Sequence, residues 1–195
     1  EFPMLEVWLE LSPGSRHSTN EMPGLSDRLQ QWLPALVEHR GTLNRRGGFI
    51  EELTRGVPLA EVFEHVLLEL LAQSGAGVTF SKTRADLGRH FYKVAIEYEE
   101  EDVAREAAQV ALALVQAAVD NRSFDVVAEI KRLRALHEKV CLGPSTKSII
   151  RAAKTRGIPV RRLNEHSLIQ LGYGSQQRRI CAAQTDRTGA VAEEI

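Results

Sequence analysis

The sequence predicts an α+β fold: a small mixed or antiparallel sheet packed with several helices, followed by an incomplete α/β segment. Three observations carry this expectation. Period-two alternation marks a strand near the start of the chain, strand-like runs recur near its end, and apolar stripes of helical period fill much of the stretch between them. At Leu142-Gly143-Pro144-Ser145-Thr146 the pattern breaks and restarts as a helix followed by strand-like runs.

Leu5 to Leu11 (LEVWLEL) alternates apolar and polar residues, the period of a strand with one face buried, and Ser12-Pro13-Gly14 ends it. After a loop rich in Ser, Pro, Asn and Gly, Ser26 is placed to cap a helix carrying Leu29, Leu33, Leu36 and Val37, which Pro34 shortens or kinks. Arg45-Arg46-Gly47-Gly48 reads as a basic turn. Phe49, Ile50 and Leu53 then give a short helical segment reaching Arg55-Gly56. Pro58 suits the first turn of a longer helix, whose stripe of Val62, Phe63, Val66, Leu67, Leu70 and Leu71 stops at Ser74-Gly75-Ala76-Gly77.

Val78-Thr79-Phe80 and the run from Tyr92 to Tyr98 have strand composition and read as a hairpin, with Lys82 to His90 as its exposed connection. Four acidic residues, Glu99 to Asp102, precede an alanine-rich amphipathic helix to about Val119, favourable at the positive end of its dipole. A second helix from Asp125 to Val140 pairs with it as an antiparallel hairpin turning at Asn121-Arg122-Ser123. Beyond a boundary near Gly143 come a helix to Arg156, a short strand from Val160 to Leu163, and two neighbouring strands within residues 168–174 and 178–186. This divides the chain into residues 4–141 and 142–195. About fifty residues are too few for an independent α/β domain of this pattern, so the second part is expected to be truncated at Ile195.

The chain has 195 residues, 25 Lys+Arg against 26 Asp+Glu, and a formal charge of -1, so no strong field favours nucleic acid or an anionic membrane. With 43% hydrophobic and 26% charged residues it has the composition of a folded globular protein. No apolar run approaches the roughly 20 residues that cross a bilayer, and no basic-then-apolar leader opens the chain. Cys141 and Cys181 make no metal-type or disulfide-framework spacing, so reduced thiols and a cytoplasmic location are expected. Glu1-Phe2 ahead of Pro3-Met4 reads as a vector remnant.

Three constellations bear chemistry. On the helix after Pro58, Glu61, His65 and Glu69 fall four apart on one face with Glu64 beside them. Imidazole and carboxylates ligate zinc, and Glu64 would then be a general base in a hydrolytic site. The same residues also suit the solvated face of an amphipathic helix, with His65 at the core edge. Arg45, Arg46, Lys82, Arg84 and Arg89 form a basic set able to grip carboxylates, or simple loop charge. Gly143-Pro144-Ser145-Thr146 opens a helix whose N-terminus suits an anion, although a Ser or Thr there is also a common N-cap.

In order along the chain, Pro23-Gly24-Leu25, Leu36-Val37-Glu38-His39, Gly47-Gly48-Phe49, Glu64-His65-Val66, Thr83-Arg84, Ile96-Glu97-Tyr98-Glu99, Leu142-Gly143-Pro144-Ser145-Thr146, Arg156-Gly157-Ile158-Pro159, residues 168–174 (LIQLGYG) and residues 177–180 (QRRI) resemble the N-terminal part of the cyanophycin synthetase family. The resemblance implies an ATP-dependent ligase that extends a poly-aspartate backbone bearing arginine side chains. Residues 4–141 would be its accessory, polymer-holding domain, and residues 142–195 the start of its ATP-grasp domain, a pre-ATP-grasp α/β segment. The implied partners are the poly-Asp/Arg polymer and downstream ligase domains; the helices from 102 to 140 offer a face for a second copy of the chain, and the balanced charge leaves no nucleic acid and no membrane expected. ATP and magnesium would serve the parent ligase, with no cofactor in this fragment and no ligase activity from it alone.

By the same resemblance, Ser145 would hold the aspartate or polymer end; from the basic set, Lys82, Arg84 and Arg89 are the candidates for contact with its free carboxylates. Some members carry a zinc peptidase-like HxxEH helix with a further Glu, cutting polymer into primers. Here the helix reads ExxEH, making Glu64 the base and His65 and Glu69 the ligands, with Glu61 in place of the first histidine. The added negative charge weakens the metal's power to acidify water, so impaired hydrolysis is the expectation. A structural or oligomerisation module is the remaining alternative.

Overall fold

In the computed structural model, which describes residues 3–11, 18–85, 91–164, 166–182 and 184–185, two compact units divide the chain, Glu1–Lys139 and Val140–Ile195. The fold is mixed α+β with two antiparallel sheets, one in each unit.

In the first unit, β1 (Met4–Glu10), β2 (Ser81–Ala85) and β3 (Phe91–Glu97) make a sheet in the order β1-β3-β2. Its register sets two faces. Leu5, Ile96 and Ser81 lie in one inward row, and Val7, Val94 and Thr83 in the next. Val94 and Ile96 are fully buried there. Alternate residues, among them Glu6, Trp8, Lys93, Lys82 and Arg84, take the outer face because successive side chains of a strand point to opposite sides.

The inner face is covered by α3 (Leu59–Ser74), which packs on β2 and β3 and, on another side, against α4 (Glu101–Val119). α1 (Leu25–Trp32), a 3-10 turn (Pro34–Glu38) and α2 (Gly48–Arg55) close the remaining sides. α3 is apolar almost all round: Val62, Val66, Leu67 and Leu70 have no exposed surface. A helix of that kind is stable only as the centre of a core. α5 (Val126–Val140) follows α4, and Arg132 in it ion-pairs back to Glu106 in α4 at 2.5 Å.

The second unit holds α6 (Pro144–Thr155) and a sheet of β4 (Val160–Arg162), β5 (Leu168–Leu171), β6 (Arg178–Cys181) and β7 (Gln184–Thr185) in sequential antiparallel order. Ile169 and Ile180, paired across β5 and β6, are buried on one face of it. Among the described residues, no helix is long and apolar enough to cross a membrane.

Three local expectations are corrected. Ser26 does not cap α1; Gly24, at φ 75°, is the N-cap and no side chain bonds there. The N-cap of α6 is likewise Gly143 with no side-chain hydrogen bond, so neither hydroxyl of Ser145-Thr146 serves as the cap. Thr146 is instead buried and donates to the Ala182 carbonyl at 2.9 Å. The strand placed at Val78–Phe80 is the polar Ser81–Ala85, so Lys82 and Arg84 are strand residues and not part of a loop. The ladder to β3 decides this: it begins at Ser81↔Ile96, and Phe80 contributes only a carbonyl that accepts from the Glu97 N–H at 3.0 Å.

Thr19 ties α2 to the approach of α3. Its hydroxyl donates to the Leu53 carbonyl at 2.6 Å and accepts from the Val57 N–H at 3.0 Å, in a site 4% exposed. Thr19→Val keeps the shape but deprives both backbone groups of that partner. A loss of about 1–3 kcal/mol in urea-unfolding stability is expected, with Thr19→Ser retaining most of it.

Candidate functional site

All four ExxEH positions lie on α3, but the helix presents them to different neighbours. Glu64 and Glu69 are buried among apolar residues, where an unpaired carboxylate is costly, and each is hydrogen-bonded. Ser81 at the start of β2 donates to Glu64 Oε1 at 2.7 Å. Glu69 accepts from Gln73 Nε2 at 2.5 Å and from His39 Nε2 at 3.0 Å.

His39 follows the 3-10 turn and was not singled out from sequence. Its Nδ1 lies 2.9 Å from His65 Nδ1, so the two rings share one proton between those atoms. With both imidazoles neutral, His39 Nε2–H serves Glu69 and His65 Nδ1–H serves His39. Phe49 of α2 stacks on His65, with centroids 3.8 Å apart and planes 25° apart. Burial, with His39 adjacent, pushes the His65 imidazole down to about 3.

Glu61 is half-buried. Desolvation raises its carboxyl above the ordinary range, as do the nearby charges of Glu64 and Glu52, while Lys82 acts in the opposite sense. Glu52 is held by the backbone N–H groups of Thr42 at 2.8 Å and Leu43 at 3.2 Å, and by the Thr42 hydroxyl. Gly41, at φ 57°, leaves the space that this carboxylate fills, since a Cβ there would collide with it.

The donor set does not fit zinc. Among the described residues no group of three or more His, Cys, Asp or Glu side chains is arranged to hold a metal ion. Of the atoms that would ligate, His65 Nδ1 is engaged by His39, and both Glu69 oxygens by Gln73 and His39. Glu64 Oε1 is bonded to the Ser81 hydroxyl. What these groups do in the structure is join α3 to β2 and to the segment that carries His39.

The basic set is dispersed. Arg45 pairs with Glu51, and Arg46 grips Glu38 through two nitrogens at 2.6 and 3.0 Å. Lys82 and Arg84 are exposed on β2, on the outer face of the sheet. Arg89 lies outside the described residues. Ser145 is exposed in the first turn of α6, in the second unit.

Compared with known proteins, the chain matches the family described as the cyanophycin synthase-like N-terminal domain over residues 6–120. Cyanophycin synthetase of Trichormus variabilis is 36% identical over 195 residues, which are 98% of this chain and 22% of that protein. Those of Geminocystis herdmanii and Synechocystis sp. are each 33% identical over the same shares. The chain thus spans 22% of the length of the curated relatives it matches.

A native pKa of about 3 for His65, against roughly 6.5 for an unfolded histidine, means the unfolded chain binds more protons between those values. Stability from this group is therefore complete above about pH 6.5 and is lost as pH falls toward 3, by up to about 1.4 kcal/mol per pH unit. His65→Gln is expected to flatten that limb in melting temperatures measured against pH. Glu61, with its carboxyl raised, has the opposite sign: its contribution is lost as pH rises through its native pKa. Glu61→Gln is therefore expected to raise the melting temperature near neutral pH more than in acid.

Proposed function

The chain belongs to the cyanophycin synthase-like N-terminal domain family, and on that premise we propose that it holds a poly-aspartate/arginine polymer for an ATP-dependent ligase. The observation that carries this reading is the pair Lys82 and Arg84, exposed two residues apart on an edge strand and facing the same side. Residues two apart on a strand lie roughly 7 Å from each other, the spacing of alternate, same-side carboxylates along an extended peptide.

In this reading residues 4–141 are the polymer-holding domain and residues 142–195 begin the ATP-grasp domain. Ser145 receives the aspartate or polymer end, and Arg89 adds a further cation. ATP and magnesium belong to the whole ligase, and the setting is cytoplasmic. The domain raises the local concentration of the growing chain near the ligase centre. A peptidase reading through Glu64, with Glu61, His65 and Glu69 as ligands, is not favoured, because Glu64 is bonded to Ser81, and Glu69 and His65 Nδ1 to His39.

Exposed charge contacts are screened by salt. Binding of soluble polyaspartate, measured by calorimetry, is expected to weaken steadily with ionic strength. Lys82→Gln with Arg84→Gln should cost about 3–10-fold in Kd at low salt, consistent with exposed pairs worth up to about 1 kcal/mol each. Affinity indifferent to salt, or unchanged in the double variant, would contradict the proposal.

A further inference from the structure

The outer face of the three-stranded sheet carries two ordered rows. The ladders pair Trp8 with Lys93 and Lys93 with Arg84, and, one pleat away, Glu6 with Ala95 and Ala95 with Lys82. β1 and β2 are both edges, about 10 Å apart across β3. Glu6 and Glu10 therefore make one edge of this face acidic, and Lys82 and Arg84 make the other basic.

Trp8 is 57% exposed, yet its ring is oriented: Nε1 donates to Glu6 Oε1 at 2.8 Å. Lys93 Nζ sits 4.5 Å above the ring centroid and 2.9 Å from the same Glu6 oxygen. The indole face and the Glu6 carboxylate thus already hold a cation together, supplied by the protein itself. A guanidinium suits that clamp better than an ammonium does. It is planar, it stacks on an aromatic face, it is more weakly hydrated, and it offers parallel N–H groups to a carboxylate.

We infer that Trp8 and Glu6 form a guanidinium-reading subsite that takes one arginine of the poly-Asp/Arg polymer in place of Lys93, while Arg84 and Lys82 take a carboxylate. This rests on the polymer-holding reading above. The ligand chemistry matches the face: an arginine attached through its α-amino group keeps both its guanidinium and its carboxylate, so each repeat carries one cation and one anion. The sheet face has both charges in complementary order, with the aromatic ring on the acidic side. Lys93, once displaced from Trp8, remains in register with Arg84 and adds a third cation for the carboxylate.

The test compares two probes on the full chain at low salt: short aspartate oligomers bearing arginine on every side chain, and polyaspartate of equal length. The wild-type chain is expected to bind the arginine-bearing probe more tightly. Trp8→Ala should raise its Kd about 3–10-fold, in the range of one cation–π contact, and leave polyaspartate unchanged. Glu6→Gln should weaken the arginine-bearing probe while slightly tightening polyaspartate, and Trp8→Phe should retain most of the preference. Equal effects of Trp8→Ala on both probes, or none on either while both still bind, overturn this subsite and leave the polymer-holding reading standing. Failure of the wild-type chain to bind either probe overturns both.

Discussion

The burial of α3 governs the first unit. Its apolar residues are spread around the helix, so it is covered by the sheet, by α4 and by the segment around α2. Covering such a helix leaves little water for Glu64 and Glu69, and both must be satisfied from within the fold. An unpaired buried carboxylate costs several kcal/mol, whereas a made hydrogen bond returns about 1. Ser81, Gln73, His39 and the His65 ring are thus required partners of α3 as much as they are a site. The resulting chain of bonds fastens α3 to β2, the next element of the chain, and to the earlier segment carrying His39.

That requirement separates two kinds of charge in one small unit. Around α3, charges are paired at short range in a dry setting, which fixes geometry and leaves few lone pairs or protons for a ligand. On the outer sheet face, Lys82, Arg84, Lys93, Glu6 and Trp8 stand in water, where each interaction is weak and exchangeable. An ionic polymer that must be gripped, advanced and gripped again is served by the second kind. A buried ion pair would hold it for too long.

The α3 stripe, the α4 and α5 helices and the two neighbouring C-terminal strands were legible because burial repeats at the helical or strand period. β2 was not. Its sequence Ser81-Lys82-Thr83-Arg84-Ala85 is polar, and propensity favoured the apolar Val78–Phe80, but an edge strand is chosen by its ladder partner and not by its composition. The helix caps were misplaced for a related reason: both N-caps are glycines, Gly24 and Gly143, that carry no capping side chain, and Gly24 supplies a left-handed turn that no side-chain pattern announces. His65 and Glu69 were visible as a spaced pair on one helix. Their partner His39 lies 26 residues before His65, so only the fold brings it there. Trp8 could have been found, since the alternation of LEVWLEL puts it with Glu6 and Glu10 on the polar face, where a large aromatic ring has no core to fill.

Weakness at each contact is compatible with firm holding because the proposed ligand is periodic. A subsite worth tenfold in affinity gains little against a monomer, but a polymer presents the same pair of charges at every repeat. Once one repeat is seated, the next is held at an effective concentration set by the tether, in the millimolar range for short flexible spans. Two or three such contacts multiply, while any one can open without release of the chain. A surface ordered as acid, aromatic and base across three strands therefore needs no deep pocket to retain such a polymer, and its exchange rate stays set by single, solvent-exposed interactions.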